Sequence, residues 1–485
     1  MTERGINMLK IFSNIEKNNE SGKKKEAIHP MLLMVIIVVL CAFLTNIIPA
    51  GQYERVINKE TEREIVVPDS FQYIERTPAS VLQLLMSLTL GMQRAADIIF
   101  FLLIIGGMFA IINGTGALNA GIANVLKRLK GREILLIPIL MICFGCGSAF
   151  CGNFEEFLVF VPLILACCIT VGYDSLTAVG IIFISATAGY AGSITNAFTE
   201  GTAQMIADIP LFSGMGLRIV LFISLEIVSI AYVMWIAHMV KVNPKFSGSY
   251  LYDEEFNKGK KIKLDNISRL THRQIYALIV FLLGMVFAVF GIIKWGYYVD
   301  ELAAIFLAVG IIGGVAGGLK PKDICEYFVK GCKDMMLPCI MIGLANAAIV
   351  LLSDANVMDT VLHSLAGILQ KFPDSVMPVG MFIFHELFNV IVPSGSAQAA
   401  ITMPLMTALA DKVGMTRQTA VLAYQLGDAF TNIMAPTGGE ILAALAICRV
   451  PFGKWVKYLL PLFIIWWLVA FVFLLYAAGT GFGPV

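Results

Sequence analysis

Four short stretches of this sequence, 148–155, 192–200, 393–398 and 432–439, set oxygen-bearing side chains among apolar residues. In or beside them stand Ser148 and Asn153; Ser193, Thr195, Asn196 and Thr199; Ser394, Ser396 and Gln398; and Thr431, Asn432 and Thr437. A hard monovalent cation takes about five or six oxygens, which hydroxyls, amides and freed backbone carbonyls can supply. One sodium site in each half of the chain is the chemistry this pattern fits; the blander reading is that the same groups cap broken helices. Carboxylates accompany them: Glu155 and Glu156, Glu200, Asp428 and Glu440. An ionised carboxylate near a bilayer centre costs about 3 kcal/mol, so each asks for a partner. No Lys or Arg occurs in the four stretches. An acidic midplane suits a proton, a metal ion or a cationic substrate, and suits a dicarboxylate poorly. The candidate substrate contacts are Asn153, Glu155, Glu156, Thr199, Glu200, Ser394, Ser396, Gln398, Thr437 and Glu440. Glu155, Glu156 and Asp428 are candidate proton carriers, with hairpin-locking hydrogen bonds as their alternative role. Adjacent helical residues point about 100° apart, so at most one of Glu155 and Glu156 faces a substrate squarely.

The elements that hold these residues are membrane helices. Of 485 residues, 58% are hydrophobic and 14% charged, and mean hydropathy is +0.81. A soluble chain runs at about 45–50% apolar and roughly 25% charged. Uncharged runs recur at 31–51, 98–126, 157–172, 175–199, 274–293, 302–319, 335–353 and 458–485. All but the third reach the 18 or so residues that span a bilayer as a helix. An all-α polytopic membrane protein follows. The polar residues 1–29 form a cytoplasmic tail, and the long apolar run after them reads as a retained first helix rather than a signal peptide.

Basic clusters set the topology by the positive-inside rule. Lys23–Lys25, then Lys127, Arg128, Lys130 and Arg132, then the loop 241–273, then Arg449, Lys454 and Lys457, are placed in the cytoplasm. The segment 51–76 lies outside and is strand-like, and 79–97 reads as an amphipathic helix along the membrane. The run 258–263 reads as a solvated loop, with anionic lipid as its alternative partner. Between Arg132 and Tyr173 the chain must return to the side it left, which a re-entrant hairpin at about 133–170 satisfies. A second hairpin falls at about 375–410. Irregular backbone at membrane depth needs protein or a water-filled cavity around it.

Self-comparison supports two copies. At an offset of 242, residues 162–179 share eight identities with 404–421, beginning with Pro162 and Pro404. Each half has a glycine-rich tip upstream and a Thr-Asn pair downstream, Thr195-Asn196 and Thr431-Asn432. The first repeat spans 30–240, with a broken helix at about 175–208. A linking helix at 274–293 inverts the second repeat, 301–485, whose broken helix falls at about 417–448. The expected fold has about nine transmembrane helices and two re-entrant hairpins in two inverted-topology repeats. Broken helices meeting at the midplane are the mark of secondary transporters.

Other classes fit poorly. A net charge of +1 gives no basic face for nucleic acid. The ten cysteines sit mostly in apolar runs and behave as small hydrophobes. Cys143, Cys146 and Cys151 lack the accompanying His of a zinc site. His385-Glu386 begins an H-E-x-x-H pattern, but Asn389 stands at its second ligand position. No phosphate-binding loop or nucleophile elbow is present, and an ion channel would not need two hairpin copies. Neither a metal centre nor a cofactor is expected beyond sodium or a proton as coupling ion.

The stretches HPMLLMVIIVVLCAFLTNIIPAGQYER (29–55), VPSGSAQAAITMPLMTALADKVGMTRQTAVLAYQLGDAFTNIMAPTGG (392–439) and VPFGKWVKY (450–458) closely resemble the YfcC family. That family belongs to the ion transporter superfamily and is grouped with C4-dicarboxylate anaerobic carriers. The related p-aminobenzoyl-glutamate transporters have nine spans and two hairpins. The resemblance implies a homodimer in the bacterial inner membrane, with a scaffold and a moving transport domain working as an elevator. It maps ion-binding motifs onto Ser148, Asn153, Thr195 and Asn196, and onto Ser394, Ser396, Thr431 and Asn432. Its Glu-Glu pair matches Glu155-Glu156, whereas Asn153-Phe154 and Glu440 depart from it in the pocket region. The function expected is ion-coupled carriage or exchange of amino acids, basic ones favoured, with C4-dicarboxylates as the alternative substrate.

Overall fold

The computed structural model describes residues 30–57, 64–118, 120–121, 124, 132–256, 270–295, 297, 299–369 and 371–483. The tail 1–29, the lysine run 258–263 and Lys127, Arg128 and Lys130 lie outside the described residues. In the first half the elements are α1 (Pro30–Ile47), four short strands, α2 (Val81–Arg94), α3 (Ala96–Gly114), α4 (Leu136–Cys151), α5 (Val161–Val171), α6 (Ser175–Gly192), α7 (Thr202–Ile206) and α8 (Met215–Val242). After α9 (Tyr250–Phe256) and α10 (His272–Trp295) come α11 (Val299–Ala316), α12 (Pro321–Asp334), α13 (Met336–Asp354) and α14 (Met358–Leu369). The chain ends with α15 (Met377–Asn389), α16 (Gly395–Lys412), α17 (Arg417–Met434), α18 (Gly439–Ile447) and α19 (Phe452–Thr480).

Eight helical stretches among the described residues are long and apolar enough to cross a membrane: 96–114, 133–151, 175–206, 215–242, 299–316, 336–354, 417–447 and 452–480. Residues 34–47, 272–288 and 358–369 are shorter apolar helices. Large side chains such as Phe43, Ile227, Leu283 and Val472 are exposed on α1, α8, α10 and α19, a coat of apolar surface suited to lipid or to another protein surface within the membrane. α6 is the opposite case. Every one of its 18 residues is buried, so its uncharged sequence, with no polar face, marks a helix enclosed by protein.

The segment between α1 and α2 forms two antiparallel strand pairs, β1 (Gly51–Gln52) with β4 (Gln72–Tyr73) and β2 (Arg55–Ile57) with β3 (Glu64–Val66). Asp359 of α14 fastens them, accepting from the Tyr53 N–H at 2.9 Å and from Arg55 at 2.7 Å. The sequence anticipates α2, which opens on a capping box: the Gln83 N–H donates to Ser80 Oγ and the Ser80 N–H to Gln83 Oε1. It does not anticipate α12, whose charges hide a second such helix.

These two helices reveal the pairing of the halves. α2 packs on α13 and α12 packs on α3. A Cβ on Gly91 would press into the backbone of Gly343 and Ala347, and one on Gly331 into the backbone of Gly106 and Gly107. The same crossing is therefore made twice with the halves exchanged, the contact pattern of a two-fold related pair. The broken helices repeat just as closely. α6 and α17 each run 18 residues at an offset of 242. Asp174 caps α6 by accepting the Thr177 N–H at 2.9 Å, and Thr416 caps α17 by accepting the Thr419 N–H at 3.3 Å.

Candidate functional site

The unwound backbone is narrower than the sequence suggests: 152–154, 193–196, 390–394 and 435–438. Ser148, Ser396, Gln398, Thr431 and Asn432 consequently lie in the flanking helix turns, not in the breaks. A second correction concerns the Thr-Asn pairs. The offset of the helices sets Thr195 opposite Thr437 and Asn196 opposite Gly438; the last two residues share φ −68° and ψ 105°, although the breaks open differently, at φ 43° on Ser193 and φ −82° on Ala435. Thr431-Asn432 instead stands opposite Gly189-Tyr190, inside α17.

The tip between α4 and α5 turns on Gly152, whose φ of 75° lies in the left-handed region that favours glycine. A Cβ there would also strike the Asn196 side chain, so this tip rests on the first break. The Thr195 N–H donates to the Ala149 carbonyl at 3.2 Å and its hydroxyl to the Phe150 carbonyl at 2.8 Å. Asn196 Oδ1 accepts from the Phe198 and Thr199 N–H groups, at 2.9 and 3.3 Å, while its Nδ2 donates to Thr199 Oγ1 at 2.8 Å. Ser148 and Ser193 are fully buried, with hydroxyls that have no protein hydrogen-bond partner.

Residues 155–160 form a tight 3-10 turn rather than an α-helix, and the two glutamates part there. Glu156 folds back, accepting the Phe154 N–H at 3.0 Å with the Asn153 side chain beside it. Glu155 reaches into the other half, where its carboxyl lies within hydrogen-bonding reach of Glu440 in the first turn of α18. Ionised carboxylates only accept hydrogen bonds, so this pair can bond only by sharing a proton or binding a common cation.

Asp428, fully buried in α17, lies behind that pair next to Tyr190 and Asn432. A Cβ built on Gly395 would meet Thr199 Cγ2 at 2.5 Å, Asp428 Oδ2 at 2.7 Å and the Tyr190 hydroxyl at 2.9 Å. One glycine of the second tip thus marks where α6, the first break and α17 converge. Tyr424 donates to the Gly395 carbonyl at 2.6 Å and Gln425 to the Tyr190 carbonyl at 2.7 Å. Asn389 Nδ2 donates to the Asp428 carbonyl at 2.9 Å and to Asn432 Oδ1 at 2.7 Å, tying α15 to α17.

Not every expected contact faces this junction. Gln398 is buried and donates to the His385 carbonyl at 3.0 Å, where it joins the two arms of its own hairpin. Ser394 is exposed at the start of α16 and Ser396 partly so, whereas Thr437 is buried with a hydroxyl that lacks a protein partner. Glu200 has a partner that its own segment does not contain. Arg218 of α8 forms an ion pair with it, both side chains about fully buried. Arg218 Nη1 also donates to the Ser193 carbonyl at 3.3 Å. Glu200 therefore does not present its charge to a substrate.

Sequence reasoning missed Arg218, Tyr190 and Glu226, and it singled out Glu386 only as part of an incomplete H-E-x-x-H pattern. Glu226 of α8 accepts from Ser185 at 3.1 Å, and Glu386 of α15 accepts from Trp467 at 2.9 Å. An isolated charge inside an apolar run was the available signal for both Arg218 and Glu226. Among the described residues no group of three or more His, Cys, Asp or Glu side chains is placed to hold a metal ion.

Comparison with known proteins places the chain in a family of carriers. Residues 29–479 match the DcuC family, described as C4-dicarboxylate anaerobic carriers. The protein named "Putative basic amino acid antiporter YfcC" from Escherichia coli K12 is 32% identical over 464 residues, covering 88% of this chain and 91% of that protein. An uncharacterised Haemophilus influenzae protein is 29% identical over 486 residues, covering 91% and 95%. Among solved structures, the YdaH transporter of Alcanivorax borkumensis aligns at a TM-score of 0.40 and 16% identity, over 94% of this chain and 100% of that one. MtrF of Neisseria gonorrhoeae, from a class of antimetabolite efflux pumps, aligns at 0.42 and 15%, over 95% and 98%. The chain is a multi-pass membrane transporter that belongs to the C4-dicarboxylate anaerobic carrier family, and within it to the YfcC group.

Proposed function

We propose that the chain is a secondary active transporter, an ion-coupled carrier or antiporter, that moves basic amino acids such as arginine and ornithine across the cytoplasmic membrane. One observation carries this reading: Glu155 and Glu440 face each other from opposite halves, with Asp428 behind them, while Arg218 is committed to Glu200. An incoming ammonium or guanidinium group would separate and pair the two carboxyls. A dicarboxylate would add negative charge to the same place. The name of the 32% identical relative supports the basic substrate; the family description favours the dicarboxylate as the second reading.

With α1 and α10 counted as spans, and α4/α5 and α15/α16 as re-entrant hairpins, the chain has nine spans and two hairpins in two inverted repeats. The N-terminus is cytoplasmic. The hairpins and broken helices slide as one unit against a scaffold of α1, α3, α11 and α13, in a homodimer. Sodium or a proton is the coupling ion, and its candidate ligands are the oxygens of Ser148, Thr195, Asn196 and Asn153 in one half and of Ser394, Ser396, Thr431 and Asn432 in the other. Thr199 and Thr437 complete the substrate pocket.

The test is radiolabelled uptake into proteoliposomes of arginine, ornithine, a neutral amino acid and succinate. Each is run with and without a sodium gradient, a proton gradient and internal counter-substrate. Arginine uptake stimulated by internal ornithine is expected. Succinate uptake without an arginine signal would overturn the assignment and leave Glu155 and Glu440 a proton-sharing role.

A further inference from the structure

We propose that Arg218 is a tethered cation: its guanidinium fills the cation position at the first break, so each protomer has one exchangeable cation site, at the second break, rather than two. The inference rests on reading the breaks as ion sites. In a broken membrane helix a coupling cation sits at the C-terminal end of the first half-helix, where backbone carbonyls are left without partners. In the first half that end is Ser193, the residue after α6, held at φ 43°. Its carbonyl receives Arg218 Nη1. The carboxylate that would balance a bound ion at this end is Glu200, and it too belongs to Arg218. Both groups that would attract a free cation are thus already satisfied by one guanidinium, which is 1% exposed.

The second half lacks the counter-charge. At the 242 offset Glu200 falls on Leu442, which is 2% exposed in α18. The titratable groups acting on Glu440, beside that break, are the acids Glu155 and Asp428. Thr437 offers there a buried hydroxyl without a protein partner. Partnerless hydroxyls occur at both breaks, Ser193 at the first and Thr437 at the second, but uncompensated acidic groups remain only at the second, because Glu200 is paired with Arg218. A permanent ion pair in the first half also explains why an arginine tolerates burial in a helix of a membrane protein: removed from Glu200 it would leave two unpaired charges in low dielectric.

The experiment is chemical rescue of Arg218→Ala, read by thermal unfolding of the purified protein in detergent and by uptake in proteoliposomes. The substitution leaves Glu200 buried and unpaired, so the melting temperature should fall by about 5 °C or more. Millimolar guanidinium, and sodium at higher concentration, should restore most of that loss; choline, too large for the site, should not. The wild-type protein should show no such response to guanidinium. Equal behaviour of guanidinium, sodium and choline on the variant would overturn the proposal. Should Arg218→Ala fail to accumulate, Arg218→Lys keeps the charge and should fold. Its sodium dependence of uptake should match the wild type, and a second, weaker sodium requirement would overturn the single-site count. The unfolding assay uses no transported substrate, so it stands even if wild-type uptake proves independent of any cation.

Discussion

The two halves share a frame and divide the chemistry. At the offset of 242 the broken helices have equal lengths and equivalent N-caps, and the last residue of each break, Asn196 and Gly438, has the same backbone conformation. The breaks are entered differently, left-handed at Ser193 and extended at Ala435. The functional side chains do not repeat. Glu155 and Glu156 fall on Ala397 and Gln398, Ala186 on Asp428, Gly189 on Thr431 and Glu200 on Leu442. Of the acids at the junction, Glu155 follows the tip between α4 and α5, whereas Asp428 and Glu440 flank the second break. Duplication explains the backbone, because each half breaks a helix of the same length at the same position along it. The single substrate site proposed between them would remove any need for the side chains to match. Each half contributes the groups that its own position brings to the shared junction.

Copying one half into the other should therefore break the molecule where packing, rather than chemistry, differs. A Cβ on Gly189 would press into the Gly145 carbonyl, the closest crossing of α4 and α6. Gly189→Thr installs the residue of the second half and should cost about 3 kcal/mol or more through overpacking, seen as lost accumulation or a lowered melting temperature. The converse, Thr431→Gly, removes a hydroxyl that donates to the Glu386 carbonyl at 3.3 Å and adds backbone freedom, for about 1–2 kcal/mol. Equal costs in the two directions would mean that the halves pack alike after all.

Next comes the acid pair. Glu155→Gln with Glu440→Gln should lower uptake of arginine by about 100-fold, the effect of removing a charge-paired contact worth about 2.7 kcal/mol. Uptake of neutral amino acids should fall far less. Glu156→Gln should be milder than Glu155→Gln, because Glu156 is turned back onto the Phe154 N–H. Equal loss for every substrate would reassign the pair to holding the first tip.

The frame was legible in the sequence because burial and inversion leave long-range traces. Eight identities between 162–179 and 404–421 gave the offset that the broken helices obey. The site was legible only by neighbourhood. Glu155 and Glu440 were singled out as intramembrane acids, but nothing in the spacing showed that they meet across the halves. Arg218 and Glu200 are separated by a turn at 207–214 whose path no periodicity specifies, so their pairing could not be read. The two Thr-Asn pairs misled for a physical reason: helix ends favour small polar residues for capping in several registers, so a dipeptide recurs without being equivalent. α12 was hidden because its charged outer face averages away the apolar stripe that packs on α3.

A smaller effect separates the two candidate ion sites. Asn432→Ala removes the Oδ1 that accepts from Asn389 and stands beside Asp428. The ion concentration for half-maximal transport should rise about tenfold, as expected for one lost polar ligand of about 1.4 kcal/mol. Thr195→Ala in the first half should change it much less, because the Ser193 carbonyl and Glu200 of that break are already engaged by Arg218. A larger shift from Thr195→Ala would place the exchangeable ion in the first half.

The smallest difference lies at the outer ends of the broken helices. Each is closed by chain that follows the last span of its own half. At α17 the cap is neutral: the Thr416 hydroxyl donates to the Phe482 carbonyl at 2.7 Å. At α6 it is acidic. Asp253 of α9 accepts from the Ser175 N–H at 3.1 Å and from Ser249 at 2.7 Å, and Asp174 accepts from Ser247 at 2.5 Å. Burial raises the Asp253 carboxyl above the ordinary aspartate value, outweighing the serine hydrogen bonds that lower it. The folded protein thus holds this proton more tightly than the unfolded chain does. The resulting stabilisation is full below the unfolded aspartate value, about pH 4, and is lost as pH rises through the raised folded value. Asp253→Asn cannot ionise, so the closure at α6 should then resist rising pH as the closure at α17 does. Amide exchange of 175–180 measured from pH 4 upward should speed up with pH, beyond the intrinsic trend, in the wild type and lose that excess in the variant. An unchanged excess would assign it to another group and leave the two closures alike in their response to pH.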